Sequence, residues 1–203
     1  MTMTCHRRTG RPLLRADGFT LIELMVTIAI AAILLMVAAP SFVAMQRNSE
    51  LTAAANALVA GINAARGEAM KRGLNAVVVP ADAANWRNGW TVFVDTSTTR
   101  NGTLDASDIV VQRQPALASY FDVSGTGTAT IAPALPAYMM FDASGYTKTK
   151  AGGFNELTLS ITRNDLTGAA QNEQTRRVIV ARTGRARACK PSTDTTCTIS
   201  ATD

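Results

Sequence analysis

Two groups of residues in this chain combine type and spacing in a way that could do chemistry. The first is Glu23, the one charge in the apolar run from Phe19 to Ala39. An ionisable group at membrane depth is costly unless it has a partner or a function. A free amine would serve as partner; otherwise the carboxylate sits within headgroup reach on the first helical turn, where the helix dipole favours an anion. The second group runs from Arg176 to Lys190, where Arg176, Arg177, Arg182, Arg185, Arg187 and Lys190 occur with no acid among them. If that segment is extended, Arg185 and Arg187 project from one face about 7 Å apart, a spacing that suits successive phosphates along a strand. Each guanidinium can donate two hydrogen bonds to a phosphate and keeps its charge, and Gly184 lets the backbone turn or approach closely. No aromatic interleaves the cluster, so the expected mode is salt-sensitive, sequence-tolerant backbone contact. The same cations on an edge strand would also serve solubility and block edge-to-edge pairing.

The elements that position these groups begin with the apolar run itself. Its 21 residues make a helix about 32 Å long, enough to cross a hydrocarbon core of about 30 Å. Arg7, Arg8, Arg11 and Arg15 precede it against the single acid Asp17, so the N-terminal end is expected to stay cytoplasmic and the C-terminal body to face the periplasm. A secretory signal has its small-residue cleavage site after the apolar stretch, whereas here Gly18 comes before it. Cleavage at Gly18 would leave the hydrophobic helix on the product, and an uncleaved signal anchor is the alternative.

Removing residues 1–18, which hold four arginines and one aspartate, lowers the net charge from +5 to +2. Bulk charge therefore gives no argument for a nucleic-acid partner, and only the local cluster at the C-terminus can. Cys5 and His6 leave with the same segment, so the remainder has no histidine and two cysteines, Cys189 and Cys197. No Cys/His or Ser/His pair can then be built, and a zinc site has too few ligands. No catalytic residue, cofactor or metal site is expected. In an oxidising periplasm Cys189 and Cys197 most simply form a disulfide closing a short loop, worth about 2–3 kcal/mol in the chain-entropy picture; two reduced thiols are the alternative.

After the membrane segment, Pro40 marks an expected kink. Phe42, Met45, Leu51, Ala54, Ala55, Leu58, Val59, Ile62, Ala65 and Ala69 then recur at three- and four-residue intervals, the stripe of an amphipathic helix that continues to about Arg72 and stops at Gly73. A rod from Phe19 to Arg72 would be about 80 Å long. Its covered face requires the rest of the chain, which reads as strands: Ala76–Val79, Trp90–Val94, Ile109–Val111, Tyr138–Phe141, Leu157–Ile161 and Arg177–Ala181, separated by Asn-Gly, Ser-Gly and Gly-Gly turns. Ser124-Gly125-Thr126-Gly127-Thr128 reads as a loop. The fold class is α+β, with antiparallel sheet packed on a long helix. Asp95, Asn101, Asp105 and Asp108 cluster around a glycine, but without the spacing of a calcium loop; a hairpin with Asx-type turns is the simpler account.

Gly18-Phe19-Thr20-Leu21-Ile22-Glu23-Leu24 resembles the type III signal of the type IV pilin superfamily, which includes pilins and type II secretion pseudopilins. The resemblance implies that a prepilin peptidase cuts after Gly18 and methylates Phe19, and that Glu23 pairs with the N-terminal amine of a neighbouring subunit during assembly. Asn85 to Asp95, Asn101-Gly102-Thr103-Leu104-Asp105 and Phe141-Asp142-Ala143-Ser144-Gly145 look like motifs of the FimT/GspH family of minor pilins and pseudopilins. Gly184-Arg185-Ala186-Arg187, followed by Cys189, looks like the Gly-Arg-x-Arg signature of FimT-type minor pilins that bind DNA for natural transformation.

This resemblance implies a pilin-like fold divided into a leader at 1–18, a transmembrane and filament-core helix at 19–46, its amphipathic continuation at 47–72 and a β-rich periplasmic domain at 73–203. The expected partners are other pilins, prepilin peptidase, the inner membrane through residues 19–39, and DNA. Gly184, Arg185 and Arg187 are the DNA contacts by motif, with Arg182, Lys190, Arg176 and Arg177 added by charge and proximity. The competing expectations are a GspH-like pseudopilin with a purely structural role and a signal-anchored periplasmic enzyme.

Overall fold

A computed structural model describes residues 18–82, 85–97, 101–127, 130–131, 135–136 and 138–199. The arginines of the expected leader lie outside the described residues. The chain divides into two compact units, 1–44 and 45–203. They share one helix, α1 (Leu21–Arg72), built largely from good helix formers and carrying Lys71 and Arg72 in its last turn, where they complement the helix dipole. It ends where the sequence predicts, with the Gly73 N–H reaching back 3.0 Å to the Ala69 carbonyl.

In the first unit the apolar side chains have no cover. Phe19 is 83% exposed and Met36 78%, and Leu21, Ile22, Ile33, Leu34 and Leu35 are each well over half exposed. Among the described residues no single helix is long and apolar enough to cross a membrane; Leu21–Met36 and Ser41–Arg72 pass together as a bent pair, with Pro40 in the break between them.

In the second unit the expected stripe is the core. Leu51, Ala54, Ala55, Leu58, Ile62, Ala65 and Ala69 are buried, whereas Phe42 and Met45, at its predicted beginning, are exposed. Among the described residues eleven strands follow: β1 (Asn75–Asp82), β2 (Asn85–Asp95), β3 (Ile109–Gln114), β4 (Phe121–Gly127), β5 (Thr130–Ile131), β6 (Leu135–Pro136), β7 (Met139–Phe141), β8 (Thr147–Lys148), β9 (Leu157–Arg163), β10 (Thr175–Val180) and β11 (Ala186–Cys189), with a short helix α2 (Gly168–Glu173) before β10.

The strands form a five-stranded sheet ordered β3-β2-β1-β7-β8, a four-stranded sheet ordered β11-β10-β9-β4 and a small β5-β6 pair. All named pairings are antiparallel. Both larger sheets send one face to the helix. Val78, Trp90, Val92 and Val94 from one, and Leu157, Leu159, Ile161, Val178 and Val180 from the other, join the helical stripe in a single cluster. The other face of the five-stranded sheet carries a second cluster of Val77, Phe93, Tyr138 and Met140.

One reading needs correction. Ser124 to Gly127 is not loop but most of β4, paired in register with β9 from Phe121↔Arg163 to Gly127↔Leu157. Its serine, threonine and glycines lack the apolar alternation that signals a strand, because its outward side chains face the hydroxyls of β9 and the C-terminal segment and its order comes from backbone pairing. Thr128 lies outside the described residues. The Asp95–Asp108 segment holds itself together: Asp95 accepts from the N–H groups of Ser97 at 2.8 Å and Gly102 at 3.1 Å. Asp108 accepts from those of Thr96 and Asp105, both at 2.9 Å. The Asp95–Ser97 bond, like that from the Thr103 N–H to Asn101 at 2.8 Å, is an Asx-type turn, the other bonds tie the loop to the two carboxylates, and among the described residues no three potential ligands group to hold a metal.

A polar cluster fixes one end of this helix stretch to the sheet. Arg163, the buried last residue of β9, grips Asp165 at 2.9 and 2.6 Å, and Arg47 meets the same carboxylate at 2.5 Å while lying over the Tyr120 ring. The Tyr120 hydroxyl donates to Glu50. The Arg163 guanidinium holds the Asp165 carboxyl below its usual range, and the Tyr120 bond does the same to Glu50.

Two outcomes follow. Leu58→Ala removes a fully buried side chain at the helix–sheet contact and should cost about 2–5 kcal/mol in chemical denaturation monitored by circular dichroism. Because both carboxylates titrate lower when folded than when unfolded, their contribution is complete above their ordinary values of 3.8 and 4.5 and is lost as pH falls through the folded values. The denaturation midpoint should therefore hold steady above about pH 5 and drop below it, and Asp165→Asn should flatten that drop.

Candidate nucleic-acid interface

Strand alternation and register decide which way each cation of the basic segment points. In β10 the pairs Val178↔Ala188 and Val180↔Ala186 face the helix, so Arg177↔Cys189 and Ile179↔Arg187 face outward. Arg185 follows the same alternation one step beyond β11, its carbonyl accepting from the Ala181 N–H at 3.0 Å. Arg185 and Arg187 thus share the outward side, as the extended reading requires. Arg176 lies on the helix side of β10, where its guanidinium donates to Asn48 at 2.8 Å and to the Glu173 and Thr175 carbonyls. Burial lowers its pKa.

No acid lies within the segment's sequence, but the fold supplies three. Arg182 forms a two-pronged pair with Glu156 at 2.5 and 2.8 Å, Lys190 pairs with Glu173, and Arg187 meets Asp194 at 3.2 Å. Glu156 is held below its ordinary range chiefly by the Arg182 bond, and Glu173 chiefly by Lys190. Arg187 also donates to the Thr196 carbonyl at 2.8 Å, and Arg177 donates to the Ser160 hydroxyl and the Cys197 carbonyl. Among the described residues, only Arg185 of the seven candidate positions presents an exposed charge that makes no hydrogen bond or ion pair.

A disulfide joins Cys189 to Cys197 and closes the loop whose Asp194, Thr196 and Cys197 receive Arg187 and Arg177. The bridge and the two arginines therefore lay the segment from Lys190 to Ile199 against the outward face of the sheet, where the Ile199 carbonyl also accepts from Thr126 at 2.7 Å.

Gly184 has a structural reason of its own. It turns β10 into β11 with φ +78°, and a Cβ there would lie 2.0 Å from the Gly145 carbonyl oxygen. That same carbonyl accepts from Arg66 of the helix at 3.0 Å. Beside it, Thr147 of β8 donates its N–H to the Arg182 carbonyl at 3.0 Å, so the β10–β11 turn docks on the edge of the five-stranded sheet. Sequence reading assigned Gly184 to a turn or close approach without its partner; Gly145 and Arg66 are distant in sequence and gave no signal.

At the other candidate site, Gly18 and Phe19 precede the helix and are exposed. Glu23 forms a reciprocal cap: its carboxylate accepts from the Thr20 N–H at 3.2 Å and the Thr20 hydroxyl at 3.0 Å, and its own N–H donates to that hydroxyl at 3.2 Å. Thr20-Leu21-Ile22-Glu23 is a capping-box sequence, a signal that the membrane-depth argument passed over.

Residues 54–184 match the family described as type II transport protein GspH, and residues 14–39 match the prokaryotic N-terminal methylation motif. The fold is similar to that of the type IV minor pilin FimU of Pseudomonas aeruginosa, at 20% identity and a TM-score of 0.52 over 71% of this chain and 91% of that one. The minor pseudopilin EpsH from the type 2 secretion system of Vibrio cholerae aligns at 17% identity and a TM-score of 0.46, over 70% of this chain and 98% of that one. No curated protein sequence matches. At 20% identity the likeness to FimU shows the fold alone.

Gly184→Ala combines a left-handed backbone with overlap against the Gly145 carbonyl and should destabilise the domain by more than about 1–2 kcal/mol, read as a lowered thermal midpoint. Arg185→Ala, which removes an exposed side chain that makes no hydrogen bond or ion pair among the described residues, should leave that midpoint unchanged within about 0.5 kcal/mol.

Proposed function

We propose, for a chain that belongs to the GspH family and carries a prepilin methylation motif, a minor pilin that is cut after Gly18, is methylated at Phe19 and assembles through its N-terminal helix. Membership makes it a minor pilin or pseudopilin of a type IV pilus or a type II secretion system, a membrane-anchored part that assembles with other pilins. The finer reading places it as a single-pass protein of the bacterial inner membrane with residues 45–203 in the periplasm. Glu23 then has two partners in succession. Before assembly it caps its own helix through Thr20; once Phe19 is the N-terminus, a neighbour's free amine offers it an opposite charge in the low dielectric of lipid or filament core.

The second half of the proposal is that the β10–β11 turn binds DNA. The observation that supports it is Arg185, an exposed guanidinium without a partner among the described residues, held at the tip of a turn that Gly184 anchors against Gly145. Arg187, on the same side, and the exposed Arg182 flank it and can exchange their carboxylate or carbonyl partners for phosphate oxygens. Contact is to the backbone, without base stacking.

One observation favours the alternative, a pseudopilin with a purely structural role: Arg176, Arg177, Arg182, Arg187 and Lys190 are all engaged inside the domain. The two readings differ in what they expect of the full-length chain in non-ionic detergent, titrated into labelled duplex DNA and read by fluorescence anisotropy at several salt concentrations. The DNA reading expects binding at low salt that weakens as salt rises, with Arg185→Ala lowering the slope of log K against log salt by about 0.9, one phosphate contact. Absence of binding at low salt, or an Arg185→Ala slope equal to the parent's, leaves the structural role.

A further inference from the structure

The outward face of the four-stranded sheet holds a cleft of about 420 Å³ between the C-terminal segment and α2. Register explains its lining. The residues of β4, β9 and β10 that alternate with the core-facing valines, leucines and isoleucine are Ser124, Ser160, Thr162, Thr175 and Arg177, paired across the strands as Ser124↔Ser160, Thr175↔Thr162 and Arg177↔Ser160. Gln171 and Asn172 of α2 close one side and Ile199 another.

Some of these groups are occupied. The Thr175 hydroxyl donates to the Gln171 carbonyl at 2.8 Å and the Gln171 amide to the Arg163 carbonyl at 3.0 Å. Others are free to serve a ligand. Among the described residues, the Ser124 and Thr162 hydroxyls and the Asn172 side chain make no hydrogen bond. Arg177 commits its Nε–H to Ser160 and one Nη1–H to the Cys197 carbonyl, which leaves three of the five N–H donors of a guanidinium unused.

The chemistry of the lining selects the ligand. Among the described residues the wall has one permanent positive charge and no carboxylate, so a cation finds no counter-charge there. It has no aromatic ring, so a sugar finds no stacking platform, and Ile199 is its one large apolar side chain. What the cleft offers is a set of unused donors around a guanidinium, which matches a group that carries negative charge and only accepts hydrogen bonds. Its volume lies in the range of small-molecule sites, about 300–1,000 Å³, so the anion can bring an organic part with it.

We propose that this cleft is a binding subsite for a phosphate group, seated on Arg177 and the hydroxyls of Ser124 and Thr162. The proposal is independent of the DNA reading. The phosphate can belong to a soluble phosphate ester or to a nucleic-acid backbone that also reaches Arg185.

The test uses the full-length chain, isotopically labelled, in detergent micelles. Inorganic phosphate is titrated against sodium chloride at matched ionic strength while the backbone amide signals of Ser124, Thr162 and Asn172 are followed. The proposal expects saturable movement of those three signals with phosphate and none with chloride. Ser124→Ala combined with Thr162→Val leaves the Arg177–Cys197 contact in place and should weaken phosphate about fivefold or more. Equal responses to phosphate and chloride, or unchanged phosphate affinity in the double variant, overturn the subsite.

A second arm adds a thymidine oligonucleotide and identifies the source of the phosphate. Movement of the cleft signals assigns the subsite to nucleic acid, whereas movement with inorganic phosphate alone assigns it to a soluble ester; either result sustains the subsite. The DNA reading is judged separately by Arg185→Ala, so the failure of one does not carry the other with it.

Discussion

The constraint on which the rest of this structure depends is that one helix carries two apolar surfaces with different needs. From Phe19 to Met36, Thr20, Glu23 and Thr27 apart, the side chains are apolar around the whole helix and stand uncovered. At about 25 cal/mol per Å² such a surface cannot be left in water without a large penalty, so lipid tails or neighbouring helices must enclose it. From Leu51 to Ala69 the apolar residues shrink to one stripe, and the chain's own sheets enclose it. The change from an all-round surface to a stripe makes one half of the helix an assembly element and the other half the spine of a domain.

The stripe is rich in alanine, and this determines how the sheets can approach. Ala54, Ala55, Ala65 and Ala69 share one cluster with Trp90 and the valines of two sheets, and at Gly61 of the same helix a Cβ would already lie 3.0 Å from the Trp90 Nε1. Small residues on the helix are matched by large ones on the sheet, as close packing requires. The two sheets then meet at the Gly145–Gly184 contact, where Arg66 from the helix takes the carbonyl that the turn would otherwise leave unsatisfied. Helix, sheet edge and basic turn are therefore tied at a single point, and the position of Arg185 is inherited from it.

The helix, its end at Arg72 and six strands were legible because their signals are local: apolar spacing, β-branched runs and turn residues. β4 was illegible because Ser124, Gly125, Thr126 and Gly127 have little intrinsic strand preference and are ordered by pairing with β9. α2 and the two-residue strands were too short to carry a period. At the candidate site the sequence supplied the residue types and the outward projection of Arg185 and Arg187. It could not supply their partners, since Glu156, Glu173 and Asp194 reach the cations only through the folding of the chain.

That last point bears on how a basic run should be read. Charge summed along a sequence overstates the field a ligand meets, because a folded chain brings acids from other elements to cations that would otherwise repel one another. Here the acids are held by the same features that form the turn: Asp194 by the disulfide loop, Glu156 just before β9, Glu173 at the end of α2. The outcome is a surface in which most guanidiniums act as internal ties and one, Arg185, is left without a partner among the described residues. On the DNA reading, binding by the β10–β11 turn would be an exchange in which a phosphate competes with a carboxylate or carbonyl at Arg182 and Arg187 and meets an unpaired guanidinium at Arg185. An exchange of that kind gains little net energy per contact, so a single subunit would grip weakly, and useful strength would come from several copies presented together, as a filament does.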